Sequence, residues 1–272
     1  MPRPKAKPDP ASLPRIPANL SLSCLLAWWA FERSTSRALR VSPSDRLSSR
    51  LFRELEEALA FSATTEGSRT ARRSLLGPWC WQYSHSVGFT GDQLCVALQR
   101  AISAYQSRDS WQLECSTLWR SLVDAESFEY LLHLLAQHHL DLPIELASGS
   151  ALAELWAEHS LGRRRYLAWY AVRGASAALL RSGLNQASAG QALQDELRRR
   201  SRWLLHSDDP QSNNSSNYCF APPQHRGSPL MVQLFLSDLA PIGSAYWSRT
   251  PGPLGHLQSP TKSCIITSPS NG

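Results

Sequence analysis

Proline placement constrains this chain more than any other feature. Six of its 18 prolines lie in residues 1–17 and nine in residues 207–272, so only Pro43, Pro78 and Pro143 fall between. A proline inside a helix removes a backbone donor and clashes with the preceding turn, at a cost of ~3 kcal/mol. A middle so nearly free of proline can be helical; the two ends cannot. The expected organisation is a disordered, basic, proline-rich arm over 1–19 and a helical domain over 20–206. A Pro/Ser/Asn-rich, largely irregular tail follows over 207–272.

Apolar spacing fills the middle with helices. Leu22, Leu25, Leu26 and Trp29 open the first, after Ser21. In Ser42-Pro43-Ser44-Asp45, Ser42 suits a cap, Pro43 the first helical position and Asp45 the first turn. Leu47, Leu51, Leu55 and Leu59 then repeat every four residues, a helical and not a strand period. Thr90-Gly91-Asp92-Gln93 reads as a capping box before Leu94, Cys95, Leu98, Ile102 and Tyr105. Trp111, Cys115, Leu118, Trp119 and Leu122 repeat the pattern, and Phe128, Leu131, Leu132 and Leu135 do so again after Asp124. Pro143 closes that region, with a possible sub-boundary near 141–149.

Residues 166–180 are apolar on most faces, which predicts a central helix. Its Gly174–Ala178 run allows close approach of a neighbour, and Gly183 suits a left-handed cap. A last helix from about Ser188 to His206 turns Leu193, Leu197 and Leu204 inward. Nothing alternates convincingly as a strand would, and the stretch 63–89 is the least regular. The fold class is therefore all-α, an irregular multi-helix bundle of about seven to nine helices. Ten tryptophans against two methionines predict a core of rigid aromatics and leucine.

The six cysteines form no C-x-x-C pair, which speaks against a zinc knuckle or a thioredoxin-type site and for reduced thiols. The longest apolar run, Leu22 to Phe31, is about half of the ~20 residues a membrane helix requires. No small-residue cleavage site follows it. The expectation is a cytoplasmic protein with no membrane contact.

Charge is segregated along the chain. The total is +6, and arginine supplies all the cations except Lys5, Lys7 and Lys262. Residues 123–160 contain seven acids and no Lys or Arg, whereas residues 161–206 contain nine arginines against Asp195 and Glu196. One reading makes Arg163, Arg164, Arg165, Arg198, Arg199, Arg200 and Arg202 a basic surface for DNA or RNA phosphates, with Tyr166 and Trp203 close by in sequence. The competing reading packs the acidic helices beside the basic ones, so that the charges cancel inside the fold. Two helix-turn-helix corners are conceivable: one would start a recognition helix at Arg163, and the other lies at Leu184–Ser188.

Candidate chemistry is weaker. Glu126, Glu129 and His133 share a helical face, and Glu154, Glu158 and His159 could oppose them. Their spacing is not the Glu-x-x-His of bundle di-metal sites, however, so no metal is expected. His138 and His139 suit a helix end better than a catalytic role. No nucleophile elbow, P-loop or dinucleotide fingerprint occurs, so neither a catalytic residue nor a cofactor is assigned, and the balance is against an enzyme. Two functions are carried forward. The first is nucleic-acid contact through the arginine-rich helical segment. The second is a protein-interaction or assembly subunit, using exposed tryptophans or the apolar island at 231–236, which is read either as a docking peptide or as a helical turn or two folded onto the core.

Overall fold

The computed structural model describes residue 13 and residues 15–34, 40–58, 61–63, 81–83, 91–147, 149–206 and 228–254. The rest of the expected arm (1–12 and 14), the polar linker (207–227) and the chain end (255–272) lie outside the described residues. So do Leu59 and Thr90.

The fold is all-α. Six long helices carry it: α1 (Leu22–Ser34), α2 (Asp45–Glu57), α3 (Gly91–Gln106), α4 (Trp111–Gln137), α7 (Leu161–Arg181) and α8 (Gln186–His206). Four short ones accompany them among the described residues: α5 (Ile144–Ala147), α6 (Ser150–Trp156), α9 (Leu230–Leu234) and α10 (Ala245–Ser248). A π-helical segment, Phe235–Leu239, continues α9. Among the described residues the one departure from helix is a two-stranded antiparallel ribbon, β1 (Phe61–Ala63) with β2 (Trp81–Tyr83), in register Phe61 to Tyr83 and Ala63 to Trp81. It lies in the stretch where the helical period fails.

Two apolar clusters share α4 as their spine. The two patterns expected at 111–122 and 128–135 are one helix of 27 residues, about 40 Å long at 1.5 Å per residue. Its first half joins α1, α2 and α3 in the first cluster, where Leu22 and every residue from Cys24 to Phe31 of α1 are buried. A helix apolar on all sides belongs at the centre of its cluster. The second half of α4 joins α5, α6, α7 and α8 around Leu131, Trp156, Leu167 and Leu197. The change from one cluster to the other thus falls inside α4, between Ala125 and Tyr130, and Leu142 and Leu146 pack in the second cluster.

Local chemistry sets the helix ends. The start of α2 is shifted two residues from the expected cap. Ser44, not Ser42, is the N-cap: its extended backbone lets its Oγ accept from the Leu47 amide at 3.2 Å. The Ser42 hydroxyl instead donates to the Ser44 carbonyl at 2.7 Å. At the end of α7, Gly183 takes the expected left-handed conformation (φ 66°), so the Leu184 amide reaches the Leu179 carbonyl at 2.9 Å. At the end of α4, His139 adopts φ 54° and the Leu140 amide bonds the Leu135 carbonyl at 2.9 Å. His138 and His139 therefore terminate a helix, as their position suggested.

The tail requires correction. Residues 228–254 were expected in an irregular segment, yet they complete the first cluster. Met231 and Phe235 are 0% exposed, and Leu230, Val232, Leu234 and Leu239 are buried beside them. The amides of Leu230 and Met231 donate to the carbonyls of Arg40 and Val41, both at 2.9 Å. Pro229 and Pro241 bracket its helical run, Leu230–Leu239, without interrupting it. The apolar island 231–236 is accordingly core, and is not available as the partner-docking surface considered from sequence. Ile16, at the end of the expected arm, also packs on this cluster.

Replacing Phe235 by Ala should therefore cost about 3–5 kcal/mol of unfolding free energy, the price of a fully buried aromatic. Urea denaturation of the full chain measures it. A loss of less than ~0.5 kcal/mol, typical of a surface site, would contradict the docking of this segment.

Candidate nucleic-acid interface

Seven arginines form the sequence-derived candidate set, and the structure divides them. Arg164 and Arg165, at the first turns of α7, are 0% and 2% exposed. Arg164 donates from Nε to the His159 carbonyl at 2.9 Å and from Nη1 to Asp124. Arg165 donates to Glu126 Oε2 at 2.9 Å, and its guanidinium lies 4.5 Å from the Trp247 ring and 5.3 Å from that of Tyr130. Glu126 also accepts from the Tyr246 hydroxyl at 2.8 Å. Burial pushes the Glu126 carboxyl upward, and Arg165 and Tyr246 pull against it. These two arginines are internal and cannot meet a phosphate in the folded protein. The competing reading of the charge map, acids packed against bases, holds for this part of it.

The same geometry removes one helix-turn-helix corner. The first turn of α7 is capped by Ser160 and sunk in the core through Leu161, Gly162 and Arg164, so it presents no recognition face. At the other corner Asn185 caps α8 by accepting from the Ala187 and Ser188 amides at 2.9 and 3.2 Å. No cation occurs in α8 before Arg198.

Five candidates remain outside the core. Arg163 is half-buried at the start of α7. Arg198 and Arg202 are exposed on one stripe of α8, where Arg198 donates to Gln194 at 3.2 Å and lies 3.8 Å from Asp195. Arg199 and Arg200 turn toward α7. Arg199 forks onto Glu196 at 2.7 and 2.9 Å, and this raises its pKa. Arg200 lies 3.8 Å from the Tyr170 ring, 4.7 Å from Trp203 and 5.9 Å from Tyr166.

Three residues that the sequence reading did not single out complete this face. Trp169, Tyr170 and Arg173 follow Tyr166 at i+3, i+4 and i+7, one stripe of α7, and Arg173 lies 4.7 Å from the Trp169 ring. That spacing was the available signal; it was hidden because the whole stretch reads as apolar. The helices approach closely here, as expected of Gly174: a Cβ at that position would sit 3.6 Å from Glu196 Cγ. The result is a surface across α7 and α8 in which guanidinium groups and half-buried rings alternate.

Three of the residues considered for a metal, Glu126, Glu129 and His159, have protein partners. Glu129 pairs with Arg40 at 3.4 Å, and His159 Nε2 shares a 2.8 Å hydrogen bond with Ser201 Oγ. Burial, with Arg163 and Arg164 beside it, lowers the His159 pKa from its ordinary 6.5 to about 4. Among the described residues no helix is long and apolar enough to cross a membrane. No protein-family model matches the chain, and no curated protein or solved structure is significantly similar to it.

A histidine held neutral in the fold stabilises it above its unfolded pKa, and that stability is lost as the pH falls. The window runs from pH 6.5 down to about 4, with the loss approaching about 3 kcal/mol by its lower end. Unfolding free energies across this range should show a slope that His159→Gln reduces by that amount. An identical slope in the variant would contradict the burial of a neutral imidazole.

Proposed function

We propose that the protein is a non-enzymatic, cytoplasmic nucleic-acid-binding protein that engages single strands across the α7–α8 face. The observation that carries this reading is the interleaving of Arg173, Arg199 and Arg200 with Trp169, Tyr170 and Trp203 on one surface. Half-buried rings offer faces on which unstacked bases can stack, and guanidinium groups supply the phosphate contacts. A rigid duplex hides its base faces, so this surface favours a single strand. Arg198 and Arg202 on the adjoining stripe of α8 extend the positive field along the helix. The free thiols of Cys24, Cys95 and Cys115 fit a reducing compartment.

The interaction-subunit reading has less support. Trp28, Trp29, Trp119 and Trp156 are buried, as is most of the 231–236 island, so these apolar groups do not offer it a surface.

Fluorescence anisotropy with a labelled oligo-dT tests the proposal. Affinity should fall as salt rises, with log K against log[salt] sloping by about −0.7 for each phosphate contacted. Arg199→Gln with Arg202→Gln should flatten that slope by about one or more. Trp169→Ala should weaken binding by ~1–3 kcal/mol, the value of a lost base stack. No salt-sensitive binding by the wild-type protein, or full affinity in both variants, would overturn the proposal.

A further inference from the structure

A second basic surface lies away from α7 and α8. Between α2, α4 and α6, on the seam between the two apolar clusters, is a cleft of about 620 Å³. That falls within the ~300–1,000 Å³ typical of small-molecule sites, which favour such junctions. Arg46, Arg50 and Arg53 line it from α2, at i, i+4 and i+7 on a single face. Apolar side chains, Phe128, Leu152 and Trp156 from the facing helices and Leu47 from α2 itself, share the rest of the lining with polar groups that include Ser121 and Asp124.

Local details equip the cleft for an anion. The acid in its wall, Asp124, is bound to Arg164 and so does not neutralise the α2 arginines. Arg50 has only a loose 3.7 Å pairing with Glu54, and Arg53 has no ion pair among the described residues. Arg46 reaches across the seam to donate to the Ala147 carbonyl at 3.2 Å. Gly149 makes room for it: with φ 77°, it keeps the glycine conformation, and a Cβ there would sit 2.7 Å from Arg46 Nη1. Trp156 is 1% exposed, and its indole Nε1, a buried donor, has no acceptor among the described residues.

We infer that this cleft binds a small organic anion, a phosphate or carboxylate head on an apolar body. The guanidinium groups of Arg46, Arg50 and Arg53 take the head, since their fork geometry matches both oxyanions. The body lies against Leu47, Phe128 and Leu152. Inorganic phosphate alone leaves that wall wet, and a neutral apolar molecule brings no oxyanion to Arg50 and Arg53. The site is independent of the α7–α8 face and of its function.

Isothermal titration of the full chain with decyl phosphate, decanol and inorganic phosphate tests the inference. Decyl phosphate should bind at one site per chain, at least about tenfold tighter than either other probe. Arg50→Gln with Arg53→Gln should weaken it by about tenfold or more, consistent with the loss of charge-assisted hydrogen bonds. Ala153→Phe, which fills the cleft from α6, should abolish binding. Thermal melting of each variant confirms that it remains folded. Equal affinity for decanol would reduce the cleft to an apolar groove. Equal affinity for inorganic phosphate would reduce it to a simple anion site. Either result, the absence of any binding, or full affinity in both folded variants, overturns the inference.

Discussion

Two arginine–carboxylate pairs, buried where α7 crosses α4, set the terms for the rest of the molecule. Removing a guanidinium from water costs several kcal/mol, recovered only when its donors find partners in good geometry. Arg164 finds Asp124 and the His159 carbonyl; Arg165 finds Glu126 and the rings of Tyr130 and Trp247. Glu126 in turn needs the Tyr246 hydroxyl from the tail. The cluster therefore specifies one register of α7 on α4 and one seat for α10, because any other leaves a buried charge unpaired. It lies at the seam, between the cluster that ends at Ala125 and the one that begins at Tyr130.

That arrangement decides which charges reach the surface. Part of the acidic run at 123–160 is consumed internally: Asp124 and Glu126 by α7, and Glu129 by Arg40. Among the described arginines left outside are two separate groups. One is interleaved with aromatic rings on α7 and α8, a surface suited to a flexible polymer of phosphates and bases. The other lines a cleft with a partly apolar wall, suited to a small amphiphilic anion. The net charge of the chain says nothing of this division.

Periodicity made the helices legible because it records burial directly. Leu47, Leu51 and Leu55 are buried as their four-residue repeat requires, and so are Leu193, Leu197 and Leu204. Glycine at 183 revealed a helix end because few other residues tolerate its backbone conformation. The tail was not legible, since a segment of proline, serine and a short apolar island docks through contacts such as Tyr246 with Glu126, 120 residues apart. Arg164 and Arg165 were misread as surface because arginine is seldom buried. Yet Arg164 precedes Ala168, Val172 and Ala175 on the apolar stripe of α7, which was a usable sign. The basic stripe of Arg46, Arg50 and Arg53 was equally present in the sequence. It acquires meaning only when α4 and α6 supply the opposite wall.

The most direct test of the buried pairs as the organising interaction is a double-mutant cycle on Glu126 and Arg165, read by urea unfolding. Glu126→Gln and Arg165→Gln should each cost about 3–5 kcal/mol, since each strands the other's partner in the core. The double variant should lose less than the sum of the two, leaving a coupling toward the upper end of the ~0.5–3 kcal/mol seen for contacting residues. Strictly additive losses, or single losses within ~0.5 kcal/mol of zero as at a surface site, would show that the fold does not depend on this pair.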